Sequence, residues 1–185
     1  MNLYIALFLF LISFSSLLWG YSAGMRHNGR NKQNDAYFVM SLCTFIWSGS
    51  LAIMMLCPEE QSYFWAAVSL FGVTNFTVQM FLFMLTLYGN TMLYKVMYIL
   101  VPFFGMVVWG MRVFGDSYEM VETKYGFFYK DVPCWMNVVA YGYIFLLAIG
   151  AIAVLRHYSK RAVLKREKVC VRIWIGLIVF FAIIL

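Results

Sequence analysis

The chain has 185 residues, 64% of them hydrophobic and 12% charged, and a mean hydropathy of +0.80. That leaves too little polar surface to cover a water-soluble globule, in which about 25% of residues are charged. The net charge of +6 does not argue for nucleic acid, because most basic residues lie in short gaps between apolar runs and not on a soluble face.

Six apolar runs follow one another. The first, Leu3–Ala23, is long enough to cross the hydrocarbon core, which takes about 20 residues at about 1.5 Å each. It has no basic residue before it, and Ser22-Ala23-Gly24 is a weak cleavage site, so a retained helix is predicted in place of a signal peptide. The first gap carries Arg26, Arg30 and Lys32, with His27 at its edge. The second run, Ala36–Leu56, holds Trp47 at mid-span, where an indole N–H needs a partner. Cys57, Pro58, Glu59 and Glu60 make an acidic turn after it.

The third run, Tyr63–Tyr88, is the most polar inside. Gly72, Asn75, Gln79 and Thr86 recur at helical steps or close multiples of them and form one stripe. Amides facing lipid would be left unsatisfied, so the stripe should face the bundle. Two roles stay open: interhelical bonds worth about 0.6 kcal/mol each, or the lining of a ligand cavity. Lys95 marks the third gap, and the fourth run, Val96–Phe114, contains Pro102, where a kink is expected. Arg112 and Lys95 lie at run ends, where long side chains snorkel to the interface.

The fourth gap, Gly115 to Pro133, mixes acidic residues with Tyr118, Tyr125, Phe127, Phe128 and Tyr129. So many aromatics predict a folded-back loop or short hairpin capping the mouth of the bundle, with two roles open: a point of entry for a small ligand, or a loop that only seals the bundle. The fifth run is Cys134–Leu155, with Asn137 near its start as a further candidate for the polar lining. The fifth gap carries Arg156, Lys160, Arg161, Lys165, Arg166 and Lys168. A sixth run begins near Val171 and stops at Leu185; its length as a helix, about 22 Å, falls short of the core of about 30 Å. The chain therefore reads as a fragment ending inside its sixth helix, with a short tilted last helix as the alternative.

Basic residues dominate the odd gaps, and acidic residues the second and fourth. Short loops rich in Lys and Arg stay cytoplasmic, so the expected topology places the amino terminus outside the cell membrane. The fold class is an all-α, multi-pass transmembrane bundle embedded in the lipid bilayer. Continuous apolarity rules against barrel strands.

No Asp, Glu, Lys, Arg or His falls near the middle of a run, which argues against proton-coupled transport and most hydrolytic chemistry. The four cysteines lack CxxC spacing, so neither a metal site nor a cofactor is expected. Cys57 and Cys134 both fall on the predicted outer face and are candidates for an external disulfide. The expected ligand-contacting residues are Asn75, Gln79, Trp47 and Asn137, with no catalytic set.

Several strings in order carry a further resemblance. They are Phe45-Ile46-Trp47-Ser48, the Pro58-Glu59-Glu60 turn, Phe64-Trp65, Phe81-Leu82-Phe83, Leu87-Tyr88-Gly89-Asn90, Pro102 and Tyr125-Gly126-Phe127-Phe128. From about residue 3 onward the chain resembles the N-terminal seven-transmembrane sensor region of bacterial histidine kinases, also found ahead of diguanylate cyclase and PAS modules. The resemblance implies a seventh helix beyond Leu185 and a cytoplasmic output domain in cis. It implies a homodimer as well, although no GxxxG-type pair stands out to carry one. It transfers no binding residues, and the signal is an unidentified small ligand or a membrane property. A multi-pass transporter or stand-alone membrane protein is the other reading, but no repeat between the halves supports it.

Overall fold

The computed structural model describes residues 2–25, 32–87, 91–162 and 164–184. Among them run α1 (Asn2–Met25), α2 (Lys32–Met54), α3 (Glu59–Thr86), α4 (Thr91–Phe114), β1 (Tyr118–Thr123), β2 (Gly126–Asp131), α5 (Trp135–Arg161) and α6 (Lys165–Ile184). The first five helices are long and apolar enough to cross a membrane. Arg26, His27 and Arg30 of the first gap, and Tyr88, Gly89 and Asn90 after α3, lie outside the described residues.

Helix α3 is the central post. It packs against α2, α4 and α5 and meets both strands. Glu59 and Glu60 in its first turn sit at the positive end of the helix dipole. Its buried residues Val78, Met80, Phe81, Leu82, Met84 and Leu85 form one core with Leu147, Ala148, Ala151 and Leu155 of α5 and Ile178 of α6. In lipid such contacts hold by dispersion and close approach, since burial from hydrocarbon yields no hydrophobic gain. Gly72 shows what close approach needs: a Cβ there would stand 2.7 Å from the Trp47 backbone nitrogen on α2. Helix α1 attaches through small residues, with Ser13 donating to the Phe45 carbonyl at 2.8 Å.

Two sequence expectations change. The basic fifth gap is mostly helix: α5 continues to Arg161 and α6 starts at Lys165, six residues before the apolar run. Helical propensity carries both helices beyond the apolar zone, and Lys160 and Arg161 in the last turn of α5 favour that end of α5. Arg112 does not snorkel outward; it is 4% exposed, because a carboxylate from the loop reaches it. Helix α4 contains Pro102 within its length, and Tyr143 of α5 donates to the adjacent Val101 carbonyl at 2.6 Å.

The fourth gap is a hairpin, as its aromatic content predicts. Strands β1 and β2 pair antiparallel, with Tyr118 opposite Asp131 and Thr123 opposite Gly126. Thr123 Oγ1 braces the turn, accepting from the Tyr125 N–H at 3.1 Å and donating to the Gly126 carbonyl at 2.8 Å. Gly126 has φ +109°, and a Cβ would drive into the Met55 carbonyl at the end of α2. Glycine is required there on both counts.

Candidate functional site: a clamp under the hairpin and a groove at the opposite end

The base of the hairpin is held by side chains from two helices. Arg112, near the end of α4, forms an ion pair with Asp131, the last residue of β2. Tyr141, on α5, donates its hydroxyl to the other oxygen of Asp131. The Arg112 guanidinium also lies over the Tyr141 ring, 5.7 Å from its centroid, within cation–π range. Ser117 donates to the Arg112 carbonyl at 2.7 Å, which closes the last turn of α4 onto the start of the hairpin.

Asn137 completes the clamp. Its amide donates to the Ser117 carbonyl at 2.6 Å and the Val132 carbonyl at 2.8 Å, one on each side of the strand pair. The Val132 N–H also reaches the Ser117 carbonyl, at 2.9 Å. Beside this cluster lies a shallow depression of about 520 Å³ lined by Asp131, Asn137, Tyr141 and neighbours from Val132 to Trp135. In the hairpin itself, burial pushes the Tyr129 and Tyr118 phenols above their ordinary range; at Tyr118, Tyr63 adds to the shift and Arg112 opposes it. Their rings meet edge-on at 6.1 Å.

At the opposite end of the bundle, a groove of about 440 Å³ opens between the starts of α2 and α4, with α3 as its floor. Asp35, Ala36 and Val39 line one wall, Tyr94, Lys95, Tyr98 and Ile99 the other, and Gln79 the floor.

The four residues expected to touch ligand therefore do not converge. Gln79 reaches the groove, whereas Asn137 is part of the clamp at the other end of the bundle. Asn75 is 8% exposed and donates to the Phe71 carbonyl of its own helix at 3.0 Å. Trp47 packs beside Phe76, ring centroids 6.4 Å apart, with its indole nitrogen buried and unpartnered. Thr86 donates to Phe83 of its own helix at 2.6 Å. Cys57 and Cys134 are both half-buried free thiols. No cluster of three or more His, Cys, Asp or Glu suited to a metal occurs among the described residues.

The Arg112–Asp131–Tyr141 cluster was missed from sequence, because an arginine at a helix end reads as an interface anchor. The signal available was its place directly before an acidic, aromatic loop, where a folded-back strand brings a carboxylate to it.

Comparison with known proteins matches the chain to the family model described as the N-terminal 7TM region of histidine kinase, over residues 5–185. Neither the curated proteins nor the solved structures contain a match. With nearly its whole length covered, and a bundle of membrane-length helices behind the match, the chain belongs to the family of N-terminal seven-transmembrane regions of histidine kinases.

Proposed function

We propose that this region senses an extracellular or membrane signal and regulates a cytoplasmic output, a histidine kinase or diguanylate cyclase, joined to it in cis. The observation that carries this reading is the clamp. It couples a half-buried hairpin, through a part-buried ion pair, to two helices of membrane-spanning length. The topology proposed is amino terminus and hairpin outside, as the charge distribution favours. A ligand contacting Asp131 or Tyr141 in the adjoining depression would bind clamped and unclamped packings differently, and that difference is all a population shift requires. Helix α5 spans from the clamp to the basic segment ending at Arg161, so it is the natural carrier of the change. The region itself acts by packing and carries no catalysis.

The full-length protein tests this. Its coding sequence past Leu185 should contain a kinase or cyclase domain. In membrane vesicles, Tyr141→Phe and Arg112→Lys should shift the basal output several-fold in assays of autophosphorylation or nucleotide cyclisation. A coding sequence without an output domain, or output that neither variant alters, overturns the proposal.

A further inference from the structure

The groove at the end away from the hairpin has chemistry that the signalling reading does not use. Asp35 and Lys95 stand on its opposite walls, and both are exposed. No ion pair joins them among the described residues. One wall therefore offers an anion and the other a cation across about 440 Å³ of space.

Depth along the helices sorts these residues. Asp35 lies in the first turn of α2 and Lys95 one turn into α4, close to the helix ends. Val39 and Ile99 each come four residues later, about 6 Å deeper along their helices. Gln79 lies seven residues before the end of α3, about 10 Å in, at a similar level. Charge at the rim, tyrosine beside it and aliphatic walls with one amide below follow the polarity of a phospholipid from headgroup to chain. Tyr98 and Ile99 are also 54% and 70% exposed on the flank of α4, together with Phe103 at 61%, so the groove is continuous with the lipid-facing surface.

We infer that this groove is a binding site for a phospholipid whose headgroup carries both a phosphate and a primary ammonium, of the phosphatidylethanolamine type. Lys95 contacts the phosphate and Asp35 the ammonium. The Gln79 amide donates to an ester carbonyl, and one acyl chain runs between Val39 and Ile99. A primary ammonium donates hydrogen bonds to the carboxylate, which a quaternary choline does not. A purely anionic headgroup would meet repulsion from Asp35. The charge pattern thus favours one headgroup over its two common alternatives.

The test does not depend on any signal response. The full chain is placed in vesicles holding equal amounts of phosphatidylethanolamine, phosphatidylglycerol and phosphatidylcholine, then extracted in mild detergent. The lipid it retains is counted by mass spectrometry. Phosphatidylethanolamine should be enriched. Lys95→Gln should lower its retention about tenfold, the loss expected of one charge-assisted hydrogen bond. Asp35→Asn should lower it too, while raising phosphatidylglycerol. Val39→Trp fills the groove without altering charge and should abolish retention, with helical content held at the wild-type value by circular dichroism. Free phosphoethanolamine at equal concentration should not displace the lipid.

Equal retention of the three lipids overturns the inference, as does retention indifferent to both Lys95→Gln and Val39→Trp. Displacement by the free headgroup would instead make this a site for a soluble zwitterion and overturn the lipid assignment.

Discussion

The two ends of this bundle are built on opposite plans. At the hairpin end, a charged residue at a helix terminus is drawn inward and covered. Arg112 pairs with Asp131, which accepts from Tyr141, Asn137 donates to the Ser117 carbonyl, and a strand pair seats on the end of α2. At the far end, Asp35 and Lys95 are left facing each other across open space. The lesson concerns what polar groups near a membrane surface do. Where a loop is long enough to fold back and supply the partner, they become a closed structural joint; where the connection is short, they stay available to the lipid or to a ligand.

Arg112→Ala should have the largest effect on the hairpin end. It leaves Asp131 in a partly covered site without its cation, and loss of a charged hydrogen-bond partner there costs about 3 kcal/mol. Unfolding in detergent micelles should show a loss of this size, and the double variant Arg112→Met, Asp131→Leu should recover most of it. Gly126→Val attacks the seat of the hairpin and not its root. Forcing a β-branched residue to φ +109° against the Met55 carbonyl should cost about 3 kcal/mol. Faster amide exchange confined to 118–131 would register it.

Asn137→Leu removes two donors from the base of the strands and should cost about 2 kcal/mol. Its exchange signature should centre on Ser117 and Val132. A smaller effect follows from pH. Tyr118 and Tyr129 titrate above the ordinary phenol value of 10.0, so the folded hairpin favours their protonated forms. The stability this contributes is complete below that ordinary value and is lost as pH rises through the raised ones. Tyrosinate absorbance and hairpin exchange should therefore change together in strong alkali, with no response near neutrality. Smallest of all, Gln79→Leu in the open groove should move stability by no more than about 0.5 kcal/mol. A loss as large as that at Asn137 would erase the contrast between the two ends.

Helix α1 and helix α3 mark how far hydropathy reaches. The α1 span has mean hydropathy 2.1 and is 17% buried, whereas the α3 span has 1.6 and is 67% buried. The more apolar helix is the one facing lipid. In a membrane, apolarity reports contact with lipid as readily as contact with protein, so it locates a span without ranking its burial. The polar stripe was the better indicator, since Gly72, Asn75 and Gln79 singled out α3 as the helix whose faces meet others. It did not reveal that those residues serve separate purposes, because three- and four-residue steps on a central helix pass from one neighbour to the next.

That the chain crosses a membrane several times, and that its aromatic loop folds back, is legible in the residues alone. Those properties follow from bilayer thickness, backbone hydrogen bonding and local turn chemistry, all of which act over short stretches of chain. The burial of Arg112, the binding of both ends of the hairpin by Asn137, and the meeting of Asp35 and Lys95 at one groove arise when the helices assemble. Each of these joins residues from different elements, and such pairings depend on how whole helices pack. The packing is set by the sum of many weak contacts along α3, which no single residue's type or spacing discloses.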